Sequence, residues 1–506
     1  MERAVRVLRS PVFVIAAVTL LAGAVRFANL SDPRSLVFDE TYYAKDACIY
    51  LSEPAETCGL DNASEQSWVH PPLGKWLIAG GEAIFGATIE GPDKTPFGWR
   101  FSSAVAGTLT VTLTSLLALL LTRSALWAGV AGLLLATENL HFVQSRMSML
   151  DVFIAMFVVA AFVALALDRR WIERQEPSPA EPDVPWDPAV VPPAPEVRTV
   201  QSLGPGAMAA SEFDTAFSEL DAVPRRVPSP VLRWWRLLAG AMLGAAMATK
   251  WAGFTALAGA GVLAGVWEIT RRRRAGRPHP IREAVFQESF GLLIAFVLVP
   301  LLVYTATYVV WLSDHGWSPT EFLNHHGNIA DFHWHLAEFK DNGDLTHPYQ
   351  ARAWTWLLMT RPVSYFYEGT DTTAAEILGM GNPAIFWGSL VAVPAVVVRT
   401  IRRRDWAAGL VAAAFLFQYL PWLQVRRPMF LFYTTPLIPF MVLACTLATR
   451  SLAEVHTRSG AKPFAPAAGL LIGVSVMLFI FFFPILVGDE ISKSAWNVRI
   501  WFPSWV

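Results

Sequence analysis

The sequence predicts an all-α, polytopic membrane protein of about eleven transmembrane helices, with its N-terminus cytoplasmic and its C-terminus outside. Three observations carry this expectation. The 506 residues are 54% hydrophobic with a mean hydropathy of +0.39, beyond the range of an ordinary globular domain. Apolar stretches close to the ~20 residues that cross a bilayer recur along the chain. Arginine clusters fall in alternate gaps between them, as the cytoplasmic bias of positive charge demands.

Taken in order, the first apolar stretch is 11–30. It carries no small-residue cleavage site and reads as a retained anchor rather than a signal peptide. Arg3, Arg6 and Arg9 precede it and place the N-terminus in the cytoplasm. Further spans are expected at 100–121, 125–142, 147–167, 235–249, 251–269, 284–311, 383–399, 405–422, 429–449 and 467–487. Alternation then puts Arg123, Arg169 with Arg170, Arg271 to Arg274, Arg402 to Arg404, and Arg450 on the cytoplasmic side. Two long segments, 31–99 and 312–382, and the tail from Gly488 fall outside. Segment 168–233 is rich in Pro, Ala, Glu and Asp, lacks apolar periodicity, and reads as a disordered cytoplasmic loop. The net charge of −1 argues against a nucleic-acid partner, and 21 tryptophans, many at span ends, suit interfacial anchoring.

The residues able to do chemistry gather outside. Asp39 and Glu40, in FDETYYAKDA, form an adjacent carboxylate pair just beyond the first span, where charge near hydrocarbon is costly. Residues 38–51 hold no Pro or Gly and suit a short interfacial helix. Spacing of i, i+4 and i+7 would bring Asp39, Tyr43 and Asp46 to one face; the bland alternative is that Asp39 caps that helix. In VHPPLGKWLIAGG, His70 precedes two prolines that set the entry to a helix, and Lys75 lies one turn in, either meeting an anion or snorkelling. Arg100 stands at the outer end of the second span, where a carboxylate or phosphate partner would explain it. Arg146 and Asp151 begin the fourth span, five residues apart and so not stacked on one another. Lys250 lies at an outer turn. Arg426 and Arg427 break the charge bias and read either as a headgroup contact or as a phosphate clamp, since guanidinium forks match phosphate oxygens. Cys48 and Cys58 could pair in an oxidising compartment or remain free thiols. The histidines His325, His326, His333, His335 and His347 match no familiar ligand spacing, so no metal is expected.

In this order, FDETYYAKDA, VHPPLGKWLIAGG, GWRFSSA, QSRMSMLDVFI, ATKWAGF and LFYTTPLIPF resemble the protein O-mannosyltransferase family, which has the GT-C membrane glycosyltransferase architecture. The resemblance runs from the first loop to the tenth span. It implies a polyprenyl-phosphate mannose donor, Ser or Thr hydroxyls of polypeptides as acceptors, and reaction on the extracytoplasmic face of the plasma membrane, with membrane lipid and the protein secretion channel as candidate partners. It makes Asp39 and Glu40 the catalytic motif and matches Arg100 to the family's essential arginine. The chain lacks the β-trefoil domain that eukaryotic members insert between the seventh and eighth spans, and it adds the Pro-rich loop; both departures point to a bacterial type.

The resemblance implies inverting transfer, and the residues and the resemblance together predict Asp39 as general base with Glu40 in support. Arg100, Arg426, Arg427 and Lys75 would bind the donor phosphate; His70, Tyr43, Arg146, Asp151 and Lys250 would support the site. No cofactor is expected. A GT-C transferase with a lipid or glycan acceptor is the nearest alternative. A transporter is more remote, because the charged residues sit at span ends and no internal repeat is visible.

Overall fold

A computed structural model describes residues 10–51, 54, 56–60, 68–176, 227–335, 347–425, 427–457 and 460–505. Arg3, Arg6, Arg9, Arg426, the side chain of His335 and the greater part of the Pro-rich loop lie outside the described residues.

Every apolar stretch picked out in the sequence contains a helix. The chain runs through α1 (Pro11–Phe27), α2 (Glu40–Tyr50), α3 (Leu73–Phe85), α4 (Pro96–Thr122), α5 (Ala125–Ala136), α6 (Asn139–Gln144), α7 (Leu150–Glu173), α8 (Trp234–Thr249) and α9 (Gly253–Arg274). Then come α10 (Pro280–Ala306), α11 (Val309–Asp314) and α12 (Pro319–His335). The last third holds α13 (Pro383–Arg403), α14 (Trp406–Tyr419), α15 (Ile438–Ala453), α16 (Ala467–Phe482) and α17 (Lys493–Arg499). Among the described residues, six of these helices are long and apolar enough to cross a membrane, and α1, α5, α15 and α16 are shorter apolar helices.

Sequence explains many of the boundaries. Pro occupies the first turn of α1, α4, α10 and α13, where its missing N–H is no loss. Asn382 and Asp405 cap α13 and α14 by accepting backbone N–H groups. α10 widens into a π-turn over Ile294–Leu298, next to Pro300, which cannot donate into the ladder. Against that widened turn lies the small-residue stripe of α8. A side-chain carbon on Gly240 would collide with the Ala295 carbonyl, and one on Gly244 would come within 2.8 Å of Pro300. Glu138 ties three helices in the interior: it accepts the His141 N–H at 2.7 Å and the Asn382 N–H at 2.8 Å, while the Asn382 amide donates to the Thr137 and Ser475 carbonyls.

The all-α expectation needs one correction. Strands β1 (Val363–Gly369), β2 (Thr373–Gly379) and β3 (Ile491–Ser492) form a small antiparallel sheet in that order. β1 alternates as a half-buried strand should, with Val363 and Tyr365 turned inward. The Pro-rich loop is also shorter than expected. α7 continues through the charged residues 168–173, because their charges are satisfied there: Arg169 pairs with Glu173 at 2.7 Å and lies over the Trp267 and Trp406 rings. Cys48 and Cys58 are joined as a disulfide.

The predicted cytoplasmic arginines share one end of the helix bundle. Arg450 donates to the Thr122 carbonyl and Arg170 to that of Leu120; Arg274 reaches the Arg404 carbonyl. At the same end, Arg233 is bound by Asp168 at 2.9 Å and Glu268 at 2.6 Å, and Arg236 and Arg272 by Glu268 and Glu288 at 2.9–3.0 Å. All six of these side chains are buried. Arg271 touches both roots of the Pro-rich loop, Glu176 at 3.3 Å and the Pro228 carbonyl at 2.9 Å. Arg100 and Arg123 bracket α4, so the carboxylate pair sits at the opposite end, ~35 Å away.

Candidate active site

The loop between α1 and α2 sends its two carboxylates in different directions. Phe38 has φ +47°, a left-handed conformation that costs a bulky residue ~1–2 kcal/mol. Three rings hold it there edge-on: Tyr365 at 5.1 Å, Phe432 at 5.7 Å and Phe430 at 6.3 Å between centroids. Beyond this turn Glu40 points into the protein and is fully buried. It accepts the Val37 and Ser148 backbone N–H groups at 3.0 Å each and a forked pair of bonds from Arg100 at 2.9 and 2.8 Å.

Arg100 is therefore not a phosphate ligand. Its remaining donors go to the carbonyls of Leu30, Pro33 and Ser35, so all five N–H groups are spent on the loop it fastens. Lys75 is corrected likewise: it is buried against Asp46 at 2.8 Å, where α2 packs on α3. Arg146 donates to the carbonyls of Val25, Arg26, Ala28 and Asn29 and so fixes the end of α1. Arg100 and Lys75, expected at the donor phosphate, serve local carboxylates instead, and Arg146, expected in support of the site, fastens the end of α1.

Asp39 faces the other way, into a cavity of about 330 Å³ lined by Phe38, Tyr43, His70, Lys250, Phe432 and Tyr433 among others. It stands at the N-cap position of α2, yet its side chain caps no backbone N–H. Its partner is the Tyr43 phenol, one turn on, as the i, i+4 spacing predicts. Burial raises the Asp39 carboxyl to about 6; Lys250 nearby pulls down, Asp151 pushes up, and the Tyr43 bond pulls down. Lys250 is held by Asp151 at 3.0 Å and lies 4.6 Å from the centre of the Tyr433 ring. Arg427 lies 5.9 Å from the same ring centre. His70 sits beside Tyr43, its proton affinity pushed well down by burial and then by Lys250. The cavity thus carries the Lys250 ammonium, with Arg427 beside the same Tyr433 ring, and a carboxylate whose proton affinity is raised: an arrangement able to take a proton from a hydroxyl beside a bound anion.

Sequence reasoning missed several residues here. Phe38, Tyr365, Phe430, Phe432 and Tyr433 carry no charge to betray them; FDETYYAKDA contains Phe38 and LFYTTPLIPF contains Phe432 and Tyr433, but neither motif gave them a role. His333 was visible as part of a histidine-rich run without a role. Its Nδ1 lies 3.2 Å from Arg427 Nη1, and its ring stacks on His70 with centroids 5.5 Å apart. His325 and His326 pack instead among Tyr308, Trp311 and Phe322. Among the described residues, no three His, Cys, Asp or Glu side chains converge as metal ligands. A larger cleft of about 590 Å³, with Asp32, Arg146, Glu368 and Asp489 in its walls, opens beside the same loop without Asp39.

Comparison with known proteins identifies the family and the fold. A family profile described as dolichyl-phosphate-mannose-protein mannosyltransferase matches residues 16–177, and one described as the C-terminal four TMM region of protein-O-mannosyltransferase matches 320–505. Polyprenol-phosphate-mannose–protein mannosyltransferases of Mycolicibacterium smegmatis and Mycobacterium tuberculosis are each 31% identical, over 97% and 96% of this chain and 92% and 90% of theirs. A Saccharomyces cerevisiae protein O-mannosyltransferase complex bound to the sugar donor shares the fold, with TM-score 0.73 at 14% identity over 98% of this chain and 92% of that one. So, more distantly, does ArnT of Cupriavidus metallidurans bound to undecaprenyl phosphate, with TM-score 0.51 at 14% identity over 94% and 76%. The mostly helical fold is that of the GT-C membrane enzymes, and the chain belongs to the protein O-mannosyltransferase family.

Proposed function

We propose that this multi-pass membrane glycosyltransferase moves mannose from a polyprenyl-phosphate mannose to Ser or Thr hydroxyls of polypeptides, on the extracytoplasmic face of the plasma membrane. The mannosyltransferase relatives, alike over nearly their whole length, support donor, sugar and protein acceptor. The arrangement of charge supports the side. With the arginine-rich end cytoplasmic, the Asp39 end faces outward, the chain crosses eleven times, and 31–99, 312–382 and the tail from Gly488 lie outside.

The observation that carries the mechanism is Asp39, alone of the carboxylate pair in facing the cavity, with its proton affinity raised. A hydroxyl is a poor nucleophile at neutral pH. As its oxygen attacks the anomeric carbon, Asp39 takes its proton, a contribution of roughly 10²–10⁴-fold. The bond from that carbon to the phosphate oxygen breaks, and the electron pair leaves on the lipid phosphate. Lys250 and Arg427 stabilise the growing negative charge. Arg426, next in sequence, is a further candidate. A single displacement inverts the anomeric centre and needs no second catalytic carboxylate. Glu40 acts through Arg100 by holding the loop.

The test is transfer of label from radiolabelled polyprenyl-phosphate mannose to a Ser/Thr-rich peptide, in membranes carrying the native chain or Asp39→Asn. Labelled peptide with the native chain and none with the variant, at equal protein level, is the expected result. Near-normal transfer by Asp39→Asn removes Asp39 as base. Label in the lipid fraction alone would turn the reading to a lipid acceptor.

A further inference from the structure

The histidine-rich run 325–335 is the sequence feature that the reaction leaves unexplained. One of its members, His333 on α12, joins three segments far apart in the chain. Its Nε2 lies 3.1 Å from the Val69 carbonyl, its Nδ1 lies 3.2 Å from Arg427 Nη1, and its ring stacks on His70.

The two bonds fix the chemical form of the ring. A carbonyl can only accept, so Nε2 must carry the hydrogen. A guanidinium can only donate, so Nδ1 must present its lone pair. Both conditions hold only for the neutral Nε2–H tautomer. A protonated ring would turn an N–H toward the guanidinium. Burial, then the charge of Arg427, brings the ring's proton affinity down to about 4, so the neutral form prevails at physiological pH.

That neutrality matters because of how other cations near the site are held. Arg100 is bound by Glu40, Lys75 by Asp46 and Lys250 by Asp151. Glu40 and Asp46 cancel the charges of Arg100 and Lys75, and Asp151 offsets part of that of Lys250. Among the described residues no carboxylate lies against Arg427; its neighbours include the neutral His333 and the Tyr433 ring.

We infer that His333 is a positioning residue for the donor phosphate, a neutral acceptor that aims Arg427 at the cavity without cancelling its charge. This rests on the reading of Arg427 as a ligand of the prenyl-linked phosphate. The ligand class follows from the chemistry: a sugar phosphate ester, whose single negative charge needs an unneutralised cation and gains charge as the sugar leaves. The contact also makes the site depend on α12, which closes over Val69 and His70 of the first outer segment.

The experiment is steady-state transfer from polyprenyl-phosphate mannose to peptide in membranes containing the full chain, comparing Arg427→Ala, His333→Leu, His333→Gln and the Arg427→Ala/His333→Leu double variant. Arg427→Ala is expected to raise the donor KM by about tenfold or more, the scale of a lost charge-assisted bond. His333→Leu should raise it severalfold, with the acceptor KM and membrane protein level unchanged. His333→Gln, whose amide oxygen can accept the same N–H, should restore most of the donor affinity. The double variant should be no worse than Arg427→Ala, because the histidine works only through the arginine. A donor KM unaffected by His333→Leu, or additive losses in the double variant, would overturn the inference alone. A donor KM unaffected by Arg427→Ala would overturn the phosphate reading beneath it, and the inference with it.

Discussion

Asp39 and Glu40 are neighbours in sequence and strangers in space, and the cause is the left-handed turn at Phe38 with its three flanking rings. Their predicted responses to mutation differ accordingly. Asp39 must be ionised to accept a proton, and its carboxyl is raised to about 6. As pH falls through that value the base is lost, so kcat/KM should decline about tenfold per unit on the acid side of about pH 6. Lys250 holds the value down against burial and Asp151. Lys250→Met should therefore move this limb to higher pH, as well as weaken donor binding; an unmoved limb in a pH–rate profile would assign it to another group. Glu40→Gln, by contrast, leaves the Arg100 guanidinium buried without its counter-charge. The expected result is destabilisation on the order of 3–5 kcal/mol, seen as a lower melting temperature in detergent. At this scale the Asp39–Tyr43 pair was legible, because four residues along a helix is a local distance. The roles of Arg100 and Lys75 were not. Charge type alone announces an anion, and only the fold shows that Glu40 and Asp46 are those anions, 60 and 29 positions away.

Among elements, the helices were legible and the sheet was not. A span declares itself by twenty apolar residues in a row. Strand β1 declares itself only by pairing with β2 and, through β2, with β3 over a hundred residues later. The α8–α10 contact has a similar character. Gly240 and Gly244 are spaced as a helix-packing stripe, but the partner surface exists only because Pro300 leaves a π-turn beside it. Gly244→Leu would force a side chain into Pro300 and Val303. Overpacking of this kind costs typically ~1–3 kcal/mol, so folded protein recovered from membranes should fall, with the catalytic constants of the surviving fraction unchanged. A normal yield and melting temperature would mean that α10 can shift away.

For the whole molecule, the positive-inside pattern foretold which arginines would share an end, and the structure assembles them there. What no local pattern could foretell was the gathering of residues 70, 250 and 433 around Asp39, with 333 and 427 packed against them, since that depends on how segments far apart in the chain dock. The opposite end yields a prediction of its own. Arg271 touches both Glu176 and Pro228, so the two roots of the Pro-rich loop lie within reach of a single guanidinium. Replacing residues 180–223 with a Gly/Ser linker of about eight residues should span that gap and leave peptide mannosylation within about twofold of native, measured in the same membranes. Loss of activity with normal protein level would give the loop a task in catalysis.

The ion-paired clasp at these roots has a consequence for what the chain can carry. Because Arg233, Arg236 and Arg272 fasten the flanking helices on their own, the helices do not depend on the intervening chain to find one another. Closing a loop between roots already held together grows costlier only slowly, by about 0.6 kcal/mol for each doubling of length. The site is a natural socket: a reporter domain with adjacent termini could be spliced in at the end of the bundle opposite Asp39, and evolution has the same freedom to lengthen, shorten or rewrite that stretch while the chemistry at the other end stays as it is.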